Sequence, residues 1–391
     1  MKENSLGQLI LTGVPGKTLD AKSAELFRRV QPGGFILFGR NIETAAQLRK
    51  LIDDLRDLST VEPIITIDQE GGRVSRLRLI GNEPPNAQQL RDKNDLDLIR
   101  RHGEITGRLL RLFGFNLDLC PVLDISFNDN ADNSLRGRCY GKNVEQVIRN
   151  AGAFNDAMRT EGIASCGKHF PGYSAAKCDA HYELPKIDRT REELDENELA
   201  VFRAFIGRDV SPKPPKNSTD PATAGGSHPS LSVVDSMMIC HGWYPCLEAE
   251  KTPASLSRRV IGDLLRDEYG FDGLIMTDDL DMGAILNGYG LEDTIRLAVG
   301  AGNDLAMICH RIPEIANVHR ILGGLPKADI ERALSGVARF KKEIAPPAKF
   351  SEPAFREVDN DIWDLRVATL GEERARQRSP EDGKRSPVEV Y

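Results

Sequence analysis

Several side chains capable of proton transfer are crowded into one short segment, residues 168–181, which reads KHFPGYSAAKCDAH. Lys168 and His169 follow an apolar run, and Asp179 and His181 come after a turn and a stretch of small residues. A carboxylate beside an imidazole raises the pKa of the imidazole and fixes its tautomer. The pair Asp179 and His181 is therefore suited to general acid/base catalysis. The alternative is a loop salt link that does no chemistry.

A second chemical feature is the pair of adjacent carboxylates Asp278 and Asp279, in the segment IMTDDLDMGA at 275–284. One of them can act as a nucleophile or a metal ligand while backbone groups or an arginine hold the other. The alternative is that a carboxylate only caps the helix that follows, and the two roles are compatible. Together with the 168–181 segment, the pair is typical of an enzyme that attacks a neutral or sugar-like substrate with a carboxylate.

Two further segments, 68–76 (DQEGGRVSR) and 132–140 (DNSLRGRCY), supply charged groups that are suited to substrate binding. Carboxylate and guanidinium groups that project from one loop can recognise sugar hydroxyls or a carboxylate. The alternative is a solvated loop in which Glu70 and Arg73 form only a local ion pair. The charged side chains concerned are Asp68, Arg73, Arg76, Arg136 and Arg138.

The remaining histidines and the cysteines give no further site. The seven cysteines are scattered and have no CxxC spacing, so neither a zinc site nor a disulfide framework is expected. Cys166 and Cys178 flank the candidate site but lack an activating base, so a cysteine nucleophile is not expected. The histidines interpreted as surface or packing residues without a role are His102, His228, His310 and His319.

The elements that must position these groups are short apolar runs separated by amphipathic segments, in which apolar residues recur at steps of three and four. Eight such alternations predict a (β/α)8 TIM-type barrel. A doubly wound sheet is the rival fold, but it would more often carry a Gly-rich phosphate-binding turn after its first strand. The eight runs are 9–14, 33–38, 63–68, 117–125, 164–170, 236–241, 273–278 and 305–309.

Polar residues at the C-terminal ends of the predicted strands support the barrel, because catalytic groups of such barrels collect at that rim. They are Asp68, Lys168, His169, His241 and Asp278.

The domain organisation follows from two interruptions of this pattern. Residues 1–345 are predicted to form one catalytic barrel, with a loop insertion near 208–232 that is rich in Pro, Ser, Thr and Gly and reads as a surface loop or a disordered insertion. Residues 346–391 are predicted to contain a linker, a helix at about 353–376 and a charged, disordered tail. The extension is therefore short and helical rather than a second domain.

Composition limits the class of protein. The chain has 391 residues, of which 40% are hydrophobic and 28% charged, so it can build a sizeable core. A net charge of -7 argues against a nucleic-acid binder. The N-terminus lacks the pattern of a signal peptide, and no apolar run is long enough to span a membrane. A soluble, cytoplasmic protein without a membrane or nucleic-acid partner is therefore expected.

The motifs of this sequence resemble those of a known family. KHFPG followed by Asp-x-His resembles the KHFPGHG…DSH signature of family 3 glycoside hydrolases, in particular their β-N-acetylglucosaminidase branch. Other blocks agree in order and spacing, and the resemblance runs from about residue 5 to residue 345, over the whole predicted barrel. The blocks are ITIDQEGGRVSRL, LDLCPVLDI, RGRCYG and TPASLSRRVIGDLLRDEYGFDGLIMTDDLDMGAI.

The resemblance implies a (β/α)8 fold and a role for each matching residue. Asp278 matches the family's nucleophile, His181 the unusual acid/base of this branch, and Asp179 its partner. It implies a retaining exo-β-N-acetylglucosaminidase that removes N-acetylglucosamine from cell-wall (muropeptide) fragments during peptidoglycan recycling, as a monomer, with no metal or organic cofactor. The positions that match sugar-binding residues are Asp68, Arg76, Arg138, Lys168 and His169.

The sequence also departs from the family pattern next to the acid/base pair. Tyr173 and Ser174 replace the usual His-Gly, and Ala180 replaces the Ser of DSH. Loop mobility, substrate fit or rate could differ as a result. Three alternatives stay open: a β-glucosidase, a phosphorylase that uses phosphate in place of water, and a sugar-binding protein that has lost catalysis.

Overall fold

The computed structural model describes residues 3–130, 134–207 and 232–379. Its centre is a sheet of eight parallel strands, and the order along the sheet places the last strand beside the first. The seventh and eighth strands meet where Met276 pairs with Leu305, which closes the sheet into a barrel. The strands are β1 Ile10–Gly13, β2 Gly34–Leu37, β3 Ile64–Ile67, β4 Leu117–Asp118, β5 Ala164–Phe170, β6 Ser236–Ile239, β7 Leu274–Thr277 and β8 Ala306–Ile308.

The predicted (β/α)8 barrel is confirmed, and each of the eight apolar runs contains one strand. Every strand residue is buried except Ala164, at the start of β5, which is half-buried. A parallel sheet that is covered on both faces reads as continuous apolar runs rather than as an alternating pattern. The runs were therefore visible in the sequence even though each strand is short.

Helices surround the barrel and begin where the sequence places capping side chains. Asp20, Thr44 and Asn143 each accept a hydrogen bond from an amide of the first turn that follows. The α-helices are Ala21–Val30, Ala45–Asp57, Ala87–Lys93, Leu96–Phe113, Val144–Thr160, Arg191–Glu196, Glu198–Ala204, Gly283–Leu286, Leu291–Ala301, Ile315–Leu322, Lys327–Lys342, Glu352–Leu370 and Glu372–Ala375. Shorter 3-10 turns are Glu3–Leu9, Gly39–Asn41, Arg76–Leu79, Ala254–Leu256 and Ile312–Glu314, and Arg259–Glu268 is a π-helix.

A small hairpin, not predicted from the sequence, stands on the rim directly after β3. Its strands are Gln69–Gly71 and Val74–Ser75. Gly71 and Gly72 have φ angles of 105° and 56°, a backbone region that side chains with a Cβ rarely adopt. The Gly-Gly pair thus turns the chain back at once, so that residues 68–76 stay over the mouth of the barrel.

The segment after residue 345 packs on the outside of the barrel. Its helix Glu352–Leu370 lies against Leu96–Phe113 and ends at Gly371, where φ is 80°. Arg366 is buried and donates to both the carbonyl and the carboxylate of Glu83, at 2.8 and 3.1 Å. This ion pair fastens the extension to the loop that follows the hairpin.

Two predicted features fall partly or wholly outside the described residues: the insertion at 208–232, apart from Ser232, and the tail from residue 380 onward. None of the helices in the described ranges is long and apolar enough to cross a membrane.

Candidate active site

The loops that follow the barrel strands surround a cavity at the C-terminal end of the barrel. Its lining brings together residues that are up to 274 positions apart in the chain, from Ile36 to His310. The side chains that match catalytic or sugar-binding positions of the family all line it. They are Asp68, Arg76, Arg138, Lys168, His169, Asp179, His181 and Asp278.

Of the two adjacent carboxylates, Asp279 is the one that is held. Its Oδ1 accepts a hydrogen bond from the amide of Cys309 at 3.2 Å, and its Oδ2 lies 3.3 Å from Nε2 of His310. These bonds tie the end of β7 to the end of β8. Neither aspartate caps the helix Gly283–Leu286, whose N-cap is Met282, so the capping alternative is wrong.

Asp278 follows β7 directly and lines the cavity. Its amide donates to the carbonyl of Ile239 at 2.9 Å, and its Oδ1 accepts from the amide of Asp279 at 2.8 Å. The side chain is thus fixed by backbone groups and carries no ion pair with an arginine or lysine among the described residues. A carboxylate held in this way keeps its charge available for an electrophile in the cavity.

Asp179 and His181 form a hydrogen-bonded pair on the wall beside Asp278. Nδ1 of His181 lies 2.6 Å from Oδ1 of Asp179, which also accepts from the amide of His181 at 3.0 Å. Because an ionised carboxylate only accepts, Nδ1 carries the hydrogen of this bond. Proton exchange with a bound molecule therefore falls to Nε2.

The segment that carries this pair is docked on the segment after Asp278. The amides of Gly283 and Ala284 donate to the carbonyls of His181 and Ala180, both at 3.0 Å. A Cβ built on Gly283 would lie 2.6 Å from the carbonyl oxygen of His181, so only glycine allows this approach. Asp278 and His181 are consequently set relative to each other by backbone contacts.

The floor of the cavity is a buried network of alternating charges. Nζ of Lys168 lies 2.8 Å from Asp68 and 2.5 Å from Glu70, and Arg138 donates to both oxygens of Glu70 at 2.7 Å. Burial favours the uncharged form of Glu70, but the charges of Arg138 and Lys168 outweigh it and hold the pKa of this carboxyl well below its usual range. The network therefore presents fully ionised groups to a ligand.

The local ion pair between Glu70 and Arg73 is not formed. Glu70 points into the barrel mouth toward Arg138 and Lys168, whereas Arg73 donates to the carbonyls of Ser134 and Arg136 at 2.8 and 3.1 Å. The hairpin separates the two residues, since Glu70 lies in its first strand and Arg73 lies in the turn that follows.

Arg76 and His169 are the remaining residues that the resemblance assigns to sugar binding. Arg76 lies 3.4 Å from Asp68 and is buried. Nδ1 of His169 lies 2.7 Å from Oδ2 of Asp124, which also fixes the tautomer of this ring. Nε2 of His169 is 3.5 Å from Arg138, so the ring sits between the charged floor and Asp124.

Sequence reasoning missed several residues of this site. Glu70 and Asp124 hold the floor, and Phe38 and His310 line the cavity although His310 was expected to have no role. His310 directly follows the run 305–309 and Asp124 lies one residue before the end of the run 117–125, a signal close to the one that identified Asp68 and Asp278. Phe38 carries no polar group and so gave no such signal.

His241, by contrast, ends a strand without serving as a site residue. Its Nδ1 lies 2.7 Å from the hydroxyl of Ser255 and its Nε2 lies 2.8 Å from the carbonyl of Asp279. Burial lowers the pKa of this imidazole, so the ring is neutral. Its contact with the carbonyl of Asp279 supports the loop that follows β7.

The cysteines at the cavity do not suit nucleophilic chemistry. Cys240 and Cys309 line it, and burial raises the pKa of Cys240 to about 12 and that of Cys309 well above its usual value. Since the thiolate is the nucleophilic form, these thiols are inert, and the carboxylate remains the group that can attack.

The comparison with protein families agrees with this chemistry. The model of the glycosyl hydrolase family 3 N-terminal domain matches residues 1–212 and 232–340. The chain belongs to glycosyl hydrolase family 3. The family expected from the motifs is thereby confirmed, and with it the class of enzyme, a glycoside hydrolase.

Two beta-hexosaminidases are similar to this chain over most of their length. A beta-hexosaminidase of Tolumonas auensis is 33% identical over 333 residues, which cover 84% of this chain and 90% of that protein. A beta-hexosaminidase of Pseudomonas aeruginosa is 30% identical over 345 residues, which cover 88% and 89%.

Among solved structures, a family 3 β-N-acetylglucosaminidase from Paenibacillus sp. str. FPU-7 superposes with a TM-score of 0.81 at 31% identity. The match covers 94% of this chain and 69% of that one. A family 3 member from Mycobacterium smegmatis gives a TM-score of 0.74 at 27% identity, over 89% and 98% of the two chains.

Proposed function

We propose that this family 3 enzyme is a retaining exo-β-N-acetylglucosaminidase in which Asp278 is the nucleophile and His181, oriented by Asp179, is the acid/base. The observation that carries the proposal is that Asp278 shares one cavity with an Asp-His pair, while its neighbour Asp279 is held by β8. The similarity to beta-hexosaminidases and to the Paenibacillus β-N-acetylglucosaminidase supports the substrate class.

In the first step, an oxygen of Asp278 attacks the anomeric carbon and the bond to the leaving oxygen breaks. The leaving oxygen takes the proton from Nε2 of a protonated His181, so the leaving group departs neutral. The product of this step is a covalent glycosyl ester on Asp278.

In the second step, Nε2 of the now neutral His181 removes a proton from water, and the water oxygen attacks the anomeric carbon. The carboxylate of Asp278 leaves, which restores the starting state. Most retaining glycosidases use a second carboxylate for this proton transfer. A neutral imidazole avoids a second anion beside Asp278 and the 2-acetamido group.

The charged floor supports binding of a sugar. Carboxylate and cationic groups alternate over Asp68, Lys168, Glu70 and Arg138, and such groups accept from and donate to hydroxyls. We infer that the natural substrate is an N-acetylglucosaminyl muropeptide or a similar cell-wall fragment, cleaved by a monomer in the cytoplasm during peptidoglycan recycling.

The first test is release of p-nitrophenol from p-nitrophenyl N-acetyl-β-glucosaminide by the wild type and by Asp278→Asn. Turnover is expected only in the wild type. Incubation with a fluorinated N-acetylglucosaminyl fluoride, followed by peptide mass spectrometry, should place a sugar adduct on the peptide that contains Asp278. Equal turnover by both proteins, or an adduct on another residue, would contradict the assignment of the nucleophile.

The second test concerns His181. Replacement His181→Ala should reduce kcat/KM increasingly as the leaving group becomes more basic, because a good leaving group needs no proton. The ratio of alkyl to aryl glycoside turnover measures this effect. Equal loss across leaving groups would exclude the acid role.

Phosphorolysis is the second candidate, favoured by the pairing of Asp179 with an imidazole: His181, as the proposed acid/base, does not repel a phosphate anion as a carboxylate would. Repeating the p-nitrophenyl assay with inorganic phosphate, and analysing the sugar product, distinguishes the two. Free N-acetylglucosamine at an unchanged rate indicates hydrolysis, whereas phosphate-dependent sugar 1-phosphate indicates a phosphorylase.

A further inference from the structure

Tyr173, one of the departures from the family motif, is built into the acid/base segment. Its hydroxyl donates to the carbonyl of Cys178 at 3.0 Å and accepts from the amide of Ala180 at 2.9 Å. The two peptide groups that it joins lie on either side of Asp179. The ring is 4% exposed and lines the cavity.

The backbone of Tyr173 is also anchored. Its amide donates to Oδ1 of Asp124 at 2.6 Å, and Oδ2 of the same carboxylate binds Nδ1 of His169. Asp124 therefore fixes both the ring of His169 and the backbone of Tyr173. The hydroxyl of Tyr173 in turn holds the peptide groups on either side of Asp179.

We propose that Tyr173 is a positioning residue that clasps the segment Cys178–Ala180 and thereby keeps Asp179 and His181 in register with the bound sugar. This inference rests on the proposed function, because it takes His181 to be the acid/base. The orientation of His181 depends on Asp179, whose Oδ1 contacts both its ring and its amide. A shift of the peptide groups that flank Asp179 would move that contact.

A direct chemical role for the phenol is disfavoured by its surroundings. Its hydrogen is committed to the carbonyl of Cys178, and its oxygen already accepts from Ala180. Burial raises the pKa of Tyr173 well above its usual value, so the phenol does not ionise near neutral pH. What the hydroxyl supplies is two hydrogen bonds that hold a loop.

The clean perturbation is Tyr173→Phe, which keeps the ring and removes only the hydroxyl. We expect kcat/KM for an alkyl N-acetylglucosaminide to fall about tenfold, which corresponds to about 1.4 kcal/mol. With a dinitrophenyl leaving group, which needs no proton, the loss should stay within about twofold. kcat/KM is the proper quantity because it reports the first chemical step and not hydrolysis of the intermediate.

A second readout does not depend on activity. Hydrogen exchange at the amide of Ala180 should become about tenfold faster in Tyr173→Phe, since that amide loses its acceptor. The matched control is Tyr140→Phe, at a buried tyrosine whose hydroxyl has no hydrogen-bond partner among the described residues. This control should leave both the exchange rate and the leaving-group dependence unchanged.

The possible results separate the inference from the proposed function. Equal loss for alkyl and dinitrophenyl substrates would overturn the positioning role and indicate a sugar contact instead. Unchanged exchange at Ala180 would overturn the clasp itself. A wild type that cleaves no N-acetylglucosaminide would refute the proposed function, while the exchange comparison would still decide whether the hydroxyl holds the loop.

Discussion

Glu198 tests how burial changes the pKa of a carboxyl group near the site. It begins the helix Glu198–Ala204, its side chain is 1% exposed, and neither carboxylate oxygen has a hydrogen-bond partner among the described residues. The nearest cation is Arg189, with Nε 3.8 Å from Oε1. Burial therefore raises the pKa of Glu198 from its ordinary 4.5 to about 7.

The sign of the effect on stability follows from proton binding. Between pH 4.5 and 7 the folded protein keeps the proton of Glu198, whereas the unfolded chain has released it. The free energy of unfolding must therefore fall as pH rises through this range. At 1.36 kcal/mol for each pH unit, the difference between 4.5 and about 7 amounts to about 3 kcal/mol.

The replacement Glu198→Gln removes the charge and keeps the shape. We expect the variant to exceed the wild type in free energy of unfolding by about 3 kcal/mol at pH 8 and to equal it near pH 4.5. Urea unfolding at several pH values, followed by the fluorescence of Trp243 and Trp363, measures this difference. Asp118, whose pKa burial raises to about 8, titrates in both proteins and cancels.

The control is Glu196→Gln, an exposed glutamate two positions earlier in the chain. Its free energy of unfolding should follow that of the wild type at every pH. A wild type and a Glu198→Gln variant with parallel pH profiles would refute the reasoning, because the burial of Glu198 would then have no effect on its proton affinity.

Two further replacements test the site's architecture. Glu70→Gln leaves Arg138 and Lys168 buried without their shared carboxylate, so the free energy of unfolding should fall by about 3–5 kcal/mol in urea titrations; an unchanged value would contradict the network. Gly283→Ala places a Cβ 2.6 Å from a carbonyl of the acid/base segment, so kcat/KM for alkyl glycosides should drop more than for aryl ones. Gly288→Ala, with nothing within 4 Å of its Cβ, is the control, and equal effects of both would contradict the docking.

The strands and most of the helices were predictable because they depend on local patterns. The run 63–68 reads as a buried strand wherever its partners lie, and the segment 144–162 shows helical periodicity that the structure realises as Val144–Thr160. The amphipathic segment 312–343 forms two helices, Ile315–Leu322 and Lys327–Lys342, because Gly323, Gly324 and Pro326 interrupt it.

The residue types of the site were also predictable, but their pairing was not. Glu70 looked like a partner for Arg73, three positions away, yet its partners Arg138 and Lys168 are 68 and 98 positions away. Such contacts depend on how the rim loops converge, which local sequence does not encode. Residue types alone did not distinguish Asp278 from Asp279, and only the family resemblance pointed to Asp278. The contacts of Asp279 with Cys309 and His310 could not be read from the local sequence for the same reason.

In the proposed mechanism, the carboxylates around the nucleophile are held by side-chain partners and Asp278 is not. Asp279 is tied to β8, Asp124 to His169 and Tyr173, and Glu70 to Arg138 and Lys168, so each of these carboxylates has its charge committed. Asp278 alone among these carboxylates receives only backbone bonds and faces the cavity. A nucleophile needs its negative charge to be available and its direction fixed. A backbone amide orients a carboxylate without placing a positive charge beside it. The amide of Asp279 is therefore better suited than an arginine to hold the carboxylate of Asp278.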